Sequence, residues 1–352
     1  MIIYILILMT FLLKNIRIYG KEQFADDFLE RTYTERLKGI CAILIVLHHI
    51  SQNGHYQLPF SLFNRIGCLI VAIFFFLSGY GMSKSYNKDR KAFSSNFVFR
   101  IWHLSIPYLV VLAFTIIELR WNGNQVQIGL VIKGLRHGAV IGNWFFYSII
   151  YLYCVFEIIF CRLPIKAKHK ALVVAICIAG YFMWRANWNG WWYNSFLAFA
   201  IGSIFAFHEN EITTWARKNG NYWVTVGILL LSYIGLRFLN VSLSIDTWGG
   251  LLSEALAPTV FSFAVIIINM KIRILNPIWN YIGNISYEIF LIHALLIGLY
   301  RGKNIYINNN VLFTFLVIGC SVILGALFKK CNDWIMNRTR HWFVKGEERF
   351  NE

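Results

Sequence analysis

Three ionisable side chains stand in the apolar stretch LKGICAILIVLHHI: Lys38 near its start, and His48 and His49 at its end. Imidazole is the one side chain whose ordinary pKa, about 6.5, lets it take and return a proton at neutral pH. A histidine facing a cavity is therefore a natural general base. On a helix, the eleven steps from Lys38 to His49, at about 100° each, bring both side chains to within about 20° of one face, about 16 Å apart along the axis. They look into one cavity, the lysine at one mouth and His49 deep inside. His48 points about 80° away, where it supports the site or faces a neighbouring helix. The chemistry of such a set is proton transfer at one end and attraction of an anion at the other. The alternative is purely structural: Lys38 an interfacial anchor and the histidines hydrogen-bonded between helices.

The elements that must position these residues are membrane helices. Of 352 residues, 58% are hydrophobic and 14% charged, with a mean hydropathy of +0.55. A hydrocarbon core about 30 Å thick takes about 20 mainly apolar residues per helix. Runs near that length are read at about 37–52, 66–82, 101–119, 143–160, 171–184, 192–207, 222–239, 249–270, 279–300 and 311–328. The expected fold is all-α, a polytopic transmembrane helical bundle of about ten core spans. The first 13 residues, MIIYILILMTFLL, would cover only about 20 Å as helix, so they form either an eleventh, tilted span or an interfacial anchor. No basic leader and no small-residue cleavage site accompany them, which argues against a cleaved signal. The organisation expected is a hydrophobic segment and linker over 1–36, a membrane domain over 37–328 and a basic tail over 329–352.

A net charge of +16 raises the question of nucleic acid, but the basic residues cluster at the ends of apolar runs and no basic face or RNA motif goes with them. They are topology signals. With residues 14–38 inside, about 25 of the 33 Lys and Arg fall on the cytoplasmic side, and the C-terminus lies there too. The seven cysteines show no CxxC pair or spaced metal set, so neither a structural disulfide nor a metal site is expected.

Five segments in order resemble one family. LKGICAILIVLHH is similar to the opening helix of the acyltransferase-3 membrane proteins, in which a basic residue and a histidine ten intervening residues later form the first motif, here Lys38 and His49. FFFLSGYGM (Phe74 to Met82) resembles the family's phenylalanine-rich Ser-Gly motif, FRIWHLSIPY (Phe99 to Tyr108) its Arg-x-x-Arg segment before a proline, and NWFFYSIIYLY, from Asn143, its Trp-Phe helix. ISYEIFLIH (Ile285 to His293) is similar to its late Ser-Tyr-x-x-Tyr-Leu-x-His signature. Each string alone is weak; five in order are specific. The chain departs from the pattern at His103, in place of the second arginine, and at Phe290, in place of the second tyrosine. Lys38 for arginine loses the bidentate fork, so a phosphate there would be met by a point charge.

The resemblance implies an integral membrane O-acetyltransferase of a bacterial cytoplasmic membrane. It would move acetyl from cytoplasmic acetyl-coenzyme A, a substrate rather than a bound cofactor, to a hydroxyl of a surface polysaccharide, glycolipid or lipid-linked sugar. His49 would be general base or, alternatively, a transient acyl carrier, with His48 beside it. Lys38, Arg100 and His103 would gather the donor's phosphates, with Ser78 and Gly79 either packing the second helix or touching the acyl group. Trp144, Tyr147, Tyr287 and His293 would face the acceptor or pack and brace the bundle. Glu118, Glu157, Glu254 and Glu288 are candidate carboxylate partners for His49, and the sequence does not choose among them. A flippase for lipid-linked sugars is the rival reading; it lacks the repeated halves and matched broken helices such transporters commonly carry.

Overall fold

The computed structural model describes residues 7, 10, 14–54, 60–125, 144–164, 166–218 and 220–350, with side chains as far as Arg340. The expected N-terminal hydrophobic helix over 1–13 falls almost wholly outside the described residues, as does Asn143. Among the described residues twelve α-helices follow one another: α1 (Arg31–Gln52), α2 (Gly67–Lys88), α3 (Arg90–Ser95), α4 (Phe97–Trp121), α5 (Trp144–Glu157) and α6 (Lys168–Arg185) make the first half. The second half is α7 (Phe196–Ala216), α8 (Asn221–Ser242), α9 (Trp248–Ile268), α10 (Pro277–Asn284), α11 (Ser286–Tyr300) and α12 (Asn310–Phe350). The chain is an all-α helical membrane bundle.

A helix occupies each of the ten expected span positions, but the spans differ from expectation in three ways. Among the described residues, six helices are long and apolar enough to cross a membrane, or seven if the bent pair α10–α11 counts as one. The shortfall lies in α1, α6 and α7, which carry charge within a span's length: Glu35, Arg36 and Lys38; Lys168, Lys170 and Arg185; Glu209 and Glu211. The expected single span 279–300 is broken, with α10 and α11 meeting at 72°. Asn276 caps the first piece by accepting the Ile278 N–H at 3.1 Å, and Pro277 at its start has no N–H to satisfy. Finally, α12 does not end near 328 but runs on into the basic tail.

Helices in lipid gain little from apolar burial against one another, so close packing and interhelical bonds hold them. The α2–α7 crossing shows how. A Cβ built on Gly79 would lie 2.0 Å from the Phe199 carbonyl oxygen, and one on Gly202 would lie 2.1 Å from that of Phe76. Each helix thus lends a glycine to the other's backbone, and one turn on the Ser83 and Ser203 hydroxyls bond at 2.8 Å. Around this crossing sits an aromatic core in which Phe75 stacks on Phe145 at 5.2 Å and Phe76 meets Phe205 at 5.8 Å. Among the glycines of α2, Gly67 and Gly79 sit in close approach, whereas Gly81 has nothing within 4 Å.

The first helix crosses α10 through the same device, Gly39 against the Trp279 carbonyl and Gly283 against that of Glu35. A short antiparallel pair reinforces it: β1 (Ile16–Ile18) lies on β2 (Ile272–Ile274) with Arg17 opposite Arg273. Lys271 is buried beneath it, its ammonium donating to the carbonyls of Gly20 at 2.5 Å, Lys21 at 3.0 Å and Gln23 at 3.0 Å. Arg273 donates to Asp27 at 2.5 Å and to Tyr19 at 3.1 Å. The segment before α1 is therefore fastened to the joint between α9 and α10. On the other side of the bundle, Pro107 weakens the ladder inside α4, and the Leu104 carbonyl in the turn before it accepts the Tyr287 hydroxyl at 2.7 Å. These contacts hold α1, α4 and α11 around one space.

Candidate active site

Helical spacing places Gln52 three residues from His49 and four from His48, within reach of both imidazoles. One chain of hydrogen bonds results. His48 Nδ1–H donates to the Phe63 carbonyl at 2.9 Å, Gln52 Nε2–H donates to His48 Nε2 at 3.3 Å, and His49 Nδ1–H donates to Gln52 Oε1 at 3.2 Å. A backbone carbonyl only accepts, so it fixes the tautomer of His48; the remaining lone pair of His48 then takes the amide end of Gln52 and turns the oxygen to His49. His49 is left with its proton on Nδ1 and a lone pair on Nε2. Gly67 leaves room for this chain, since a Cβ there would lie 2.3 Å from His48 Nε2.

His49 opens on a cavity of about 230 Å³ between α1, α4, α5 and α11, walled by Tyr108, Thr115, Trp144, Phe290 and His293. The His293 ring centre is 5.1 Å from that of His49. Its Nδ1–H donates to the Ile289 carbonyl at 3.1 Å, and its Nε2 is buried with no hydrogen-bond partner among the described residues. A buried acceptor left unpaired costs about 1–3 kcal/mol. Two imidazole lone pairs on one small space thus make a site that a hydroxyl donor would complete.

The structure gathers some of the sequence candidates here and leaves others elsewhere. His49, His293 and Trp144 share the cavity wall, and Tyr147 joins through a 2.6 Å bond between its hydroxyl and that of Tyr108. Tyr287 lies nearby, bonded to Leu104. Lys38 is half-buried further down α1, outside the cavity wall and in no hydrogen bond or ion pair among the described residues. Arg100 starts α4, where it donates to the Phe93 carbonyl and the Ser85 hydroxyl, both at 3.2 Å, and lies 4.0 Å above the Phe93 ring. Its hydrogen-bond partners are neutral, and the Glu157 carboxylate lies within electrostatic reach. His103 packs beside Phe99, with ring centres 6.4 Å apart, Ser78 lies against Tyr153, and Gly79 is filled from the α7 side.

None of the four carboxylates meets His49. Glu118 accepts from Asn122, Glu157 from Ser94, Glu288 stands 4.0 Å from Lys329, and Glu254 lies against Gly190. Reading the sequence for a carboxylate missed Gln52, although its spacing from two histidines was the signal available. It also missed Phe290, the departure from the family pattern, which forms cavity wall and packs 4.6 Å from Phe145. Gln52→Leu is expected to lower turnover about three- to tenfold while the protein stays folded, the scale of one neutral hydrogen bond. Single-turnover kinetics beside a thermal melt checks it.

The fold and site together define a helical membrane protein with a histidine-lined cavity inside its bundle. No group of three or more His, Cys, Asp or Glu among the described residues could hold a metal ion. Residues 31–330 match the acyltransferase-3 family, described as an acyltransferase domain. The match spans nearly the whole chain, and the protein belongs to that family. No curated protein and no solved structure matches it.

Proposed function

We propose that the protein moves acetyl from acetyl-coenzyme A to a hydroxyl of a carbohydrate or glycolipid acceptor in the cell envelope, with His49 as general base. The observation that carries this reading is that His49, in the wall of a cavity, has its Nδ1 engaged by Gln52 and no partner on Nε2 among the described residues, within a family of acyltransferases. His49 Nε2 takes the proton of the acceptor hydroxyl as its oxygen attacks the thioester carbonyl. The carbon–sulfur bond then breaks, and the imidazolium returns the proton to the departing thiolate. His48 and Gln52 hold the tautomer, and the second lone pair, on His293 Nε2, accepts from a neighbouring acceptor hydroxyl. Acetyl-coenzyme A enters from the side where the basic joints cluster, which the distribution of Lys and Arg makes the cytoplasm, and the C-terminal tail lies on that side.

Lys38 and Arg100, which form no ion pair among the described residues although Glu35 and Glu157 lie within electrostatic reach of them, meet the donor's phosphates. The test is the purified full chain in nanodiscs with labelled acetyl-coenzyme A, followed for thiol release and acetyl transfer. Lys38→Ala and Arg100→Ala are each expected to raise the acetyl-coenzyme A KM about ten- to a hundredfold, the scale of a lost charge-assisted bond, with the acceptor KM little changed. A wild-type chain that cleaves no thioester ends the proposal; an unchanged donor KM in both variants makes the two residues membrane anchors.

A further inference from the structure

The face of α4 that walls the cavity does not stop there. Tyr108, Val111 and Thr115 line it, and Glu118 and Asn122 follow at helical spacing toward the end of α4 away from Arg100. Across from them α11 runs from His293 to Gly298, where a Cβ would lie 3.0 Å from Glu118 Oε1. That glycine lets the carboxylate lie against the α11 backbone, about 4.5 Å of helix beyond Thr115.

Asn122 fixes how the carboxylate is presented. Its Oδ1 accepts the backbone N–H of Lys303 at 2.9 Å and of Asn304 at 3.4 Å, which leaves its Nδ2–H to donate to Glu118 Oε1 at 2.5 Å. Among the described residues no cation pairs with Glu118, and its Oε2 takes no hydrogen bond. An ionisable group inside a membrane-length helix is costly when unpaired, and such groups mark substrate paths. Here the group is half-buried, aimed by its neighbour, and in line with the catalytic cavity.

We propose that Glu118, oriented by Asn122, is an acceptor-binding residue at the mouth of the His49 cavity, and that it selects an uncharged sugar ring over an anionic one. The inference rests on the acyl-transfer reading. A carboxylate only accepts hydrogen bonds, and a polyol offers several donors to it; charge-assisted bonds of this kind are about twice as strong as neutral ones. An anionic sugar would bring like charge into a region of low dielectric constant, where the repulsion is large. A ring held at Glu118 by one edge presents its other hydroxyls inward, toward His49 and His293.

The test uses the full chain in nanodiscs with labelled acetyl-coenzyme A and two probes, octyl β-D-glucoside and octyl β-D-glucuronide. The wild-type chain is expected to acetylate the glucoside and discriminate against the glucuronide. Glu118→Gln should raise the glucoside KM about tenfold or more, leave the acetyl-coenzyme A KM alone, and narrow the discrimination. Asn122→Leu should give a smaller change of the same kind, and it decides the matter if Glu118→Gln fails to fold. Unchanged glucoside KM and unchanged discrimination overturn the proposal, as does a wild-type chain that cleaves the thioester but acetylates neither probe or prefers the glucuronide. A wild-type chain that cleaves no thioester at all defeats the acyl-transfer reading beneath it.

Discussion

His49→Ala is expected to leave a folded, membrane-inserted protein whose acyl transfer is lowered by about 10²–10⁴, the scale of a lost general base. The structure ties this to one atom, because Nε2 is the only ring nitrogen of His49 not already engaged by Gln52. His48→Ala should cost far less. Its ring bonds Phe63 and Gln52 and is not part of the cavity wall, so its loss frees the Gln52 amide without removing the base. Activity in the wild-type chain should fall on the acid side of its profile, since protonating Nε2 removes the accepting lone pair. Near-normal turnover in His49→Ala with a collapse in His48→Ala would exchange the two roles. Normal turnover in both would remove histidine from the mechanism.

Gly79→Val should be strongly destabilising. Its first added carbon would stand 2.0 Å from the Phe199 carbonyl oxygen and 2.8 Å from the carbonyl carbon, and a backbone cannot swing aside as a side chain can. The helices must separate, which also breaks the Ser83–Ser203 bond and the reciprocal contact at Gly202. Overpacking usually costs about 1–3 kcal/mol and more when backbone must move, a large part of the 5–15 kcal/mol that holds a typical domain. Gly81→Val, two residues on with open space around it, should change stability by no more than about 0.5 kcal/mol. Melting of both variants in nanodiscs checks the pair. A Gly79→Val protein that melts normally but shows a raised acetyl-coenzyme A KM would make Gly79 a donor contact instead of a packing residue.

The sequence reveals the bundle because its periodicity and its hydropathy agree along most of the chain. It overstates the apolar spans where helices carry charge at their ends, as α1, α6 and α7 do. The break at Ile285 escaped because an apolar run of span length looks continuous whether or not it bends, and the Gly39–Gly283 crossing that seats its first piece is a contact between distant segments. Around the site, angular spacing separates His49 from His48, since that depends on the helix alone. Which group holds His49 depends on competition among side chains. The sequence pointed to carboxylates on other helices, and the nearest candidate in space was a glutamine one turn away on the same one. Glu118 was likewise read as a partner for histidine, whereas its hydrogen bond comes from Asn122, which the 303–304 backbone holds.

The fastening of the chain's first segment to the α9–α10 joint has a consequence for how the protein is made. Tyr33 bonds the Ile272 carbonyl across 239 residues, and α1 finds its glycine-to-backbone crossing in α10. A ribosome adding about 5–20 residues per second needs on the order of tens of seconds to deliver that partner. Through that interval the helix bearing Lys38, His48 and His49 has Phe63 and Gly67 beside His48 but not the later neighbours, His293 among them, that complete its enclosure. The helix that bears His49 is therefore synthesised early and fully enclosed late, when the ninth expected span arrives.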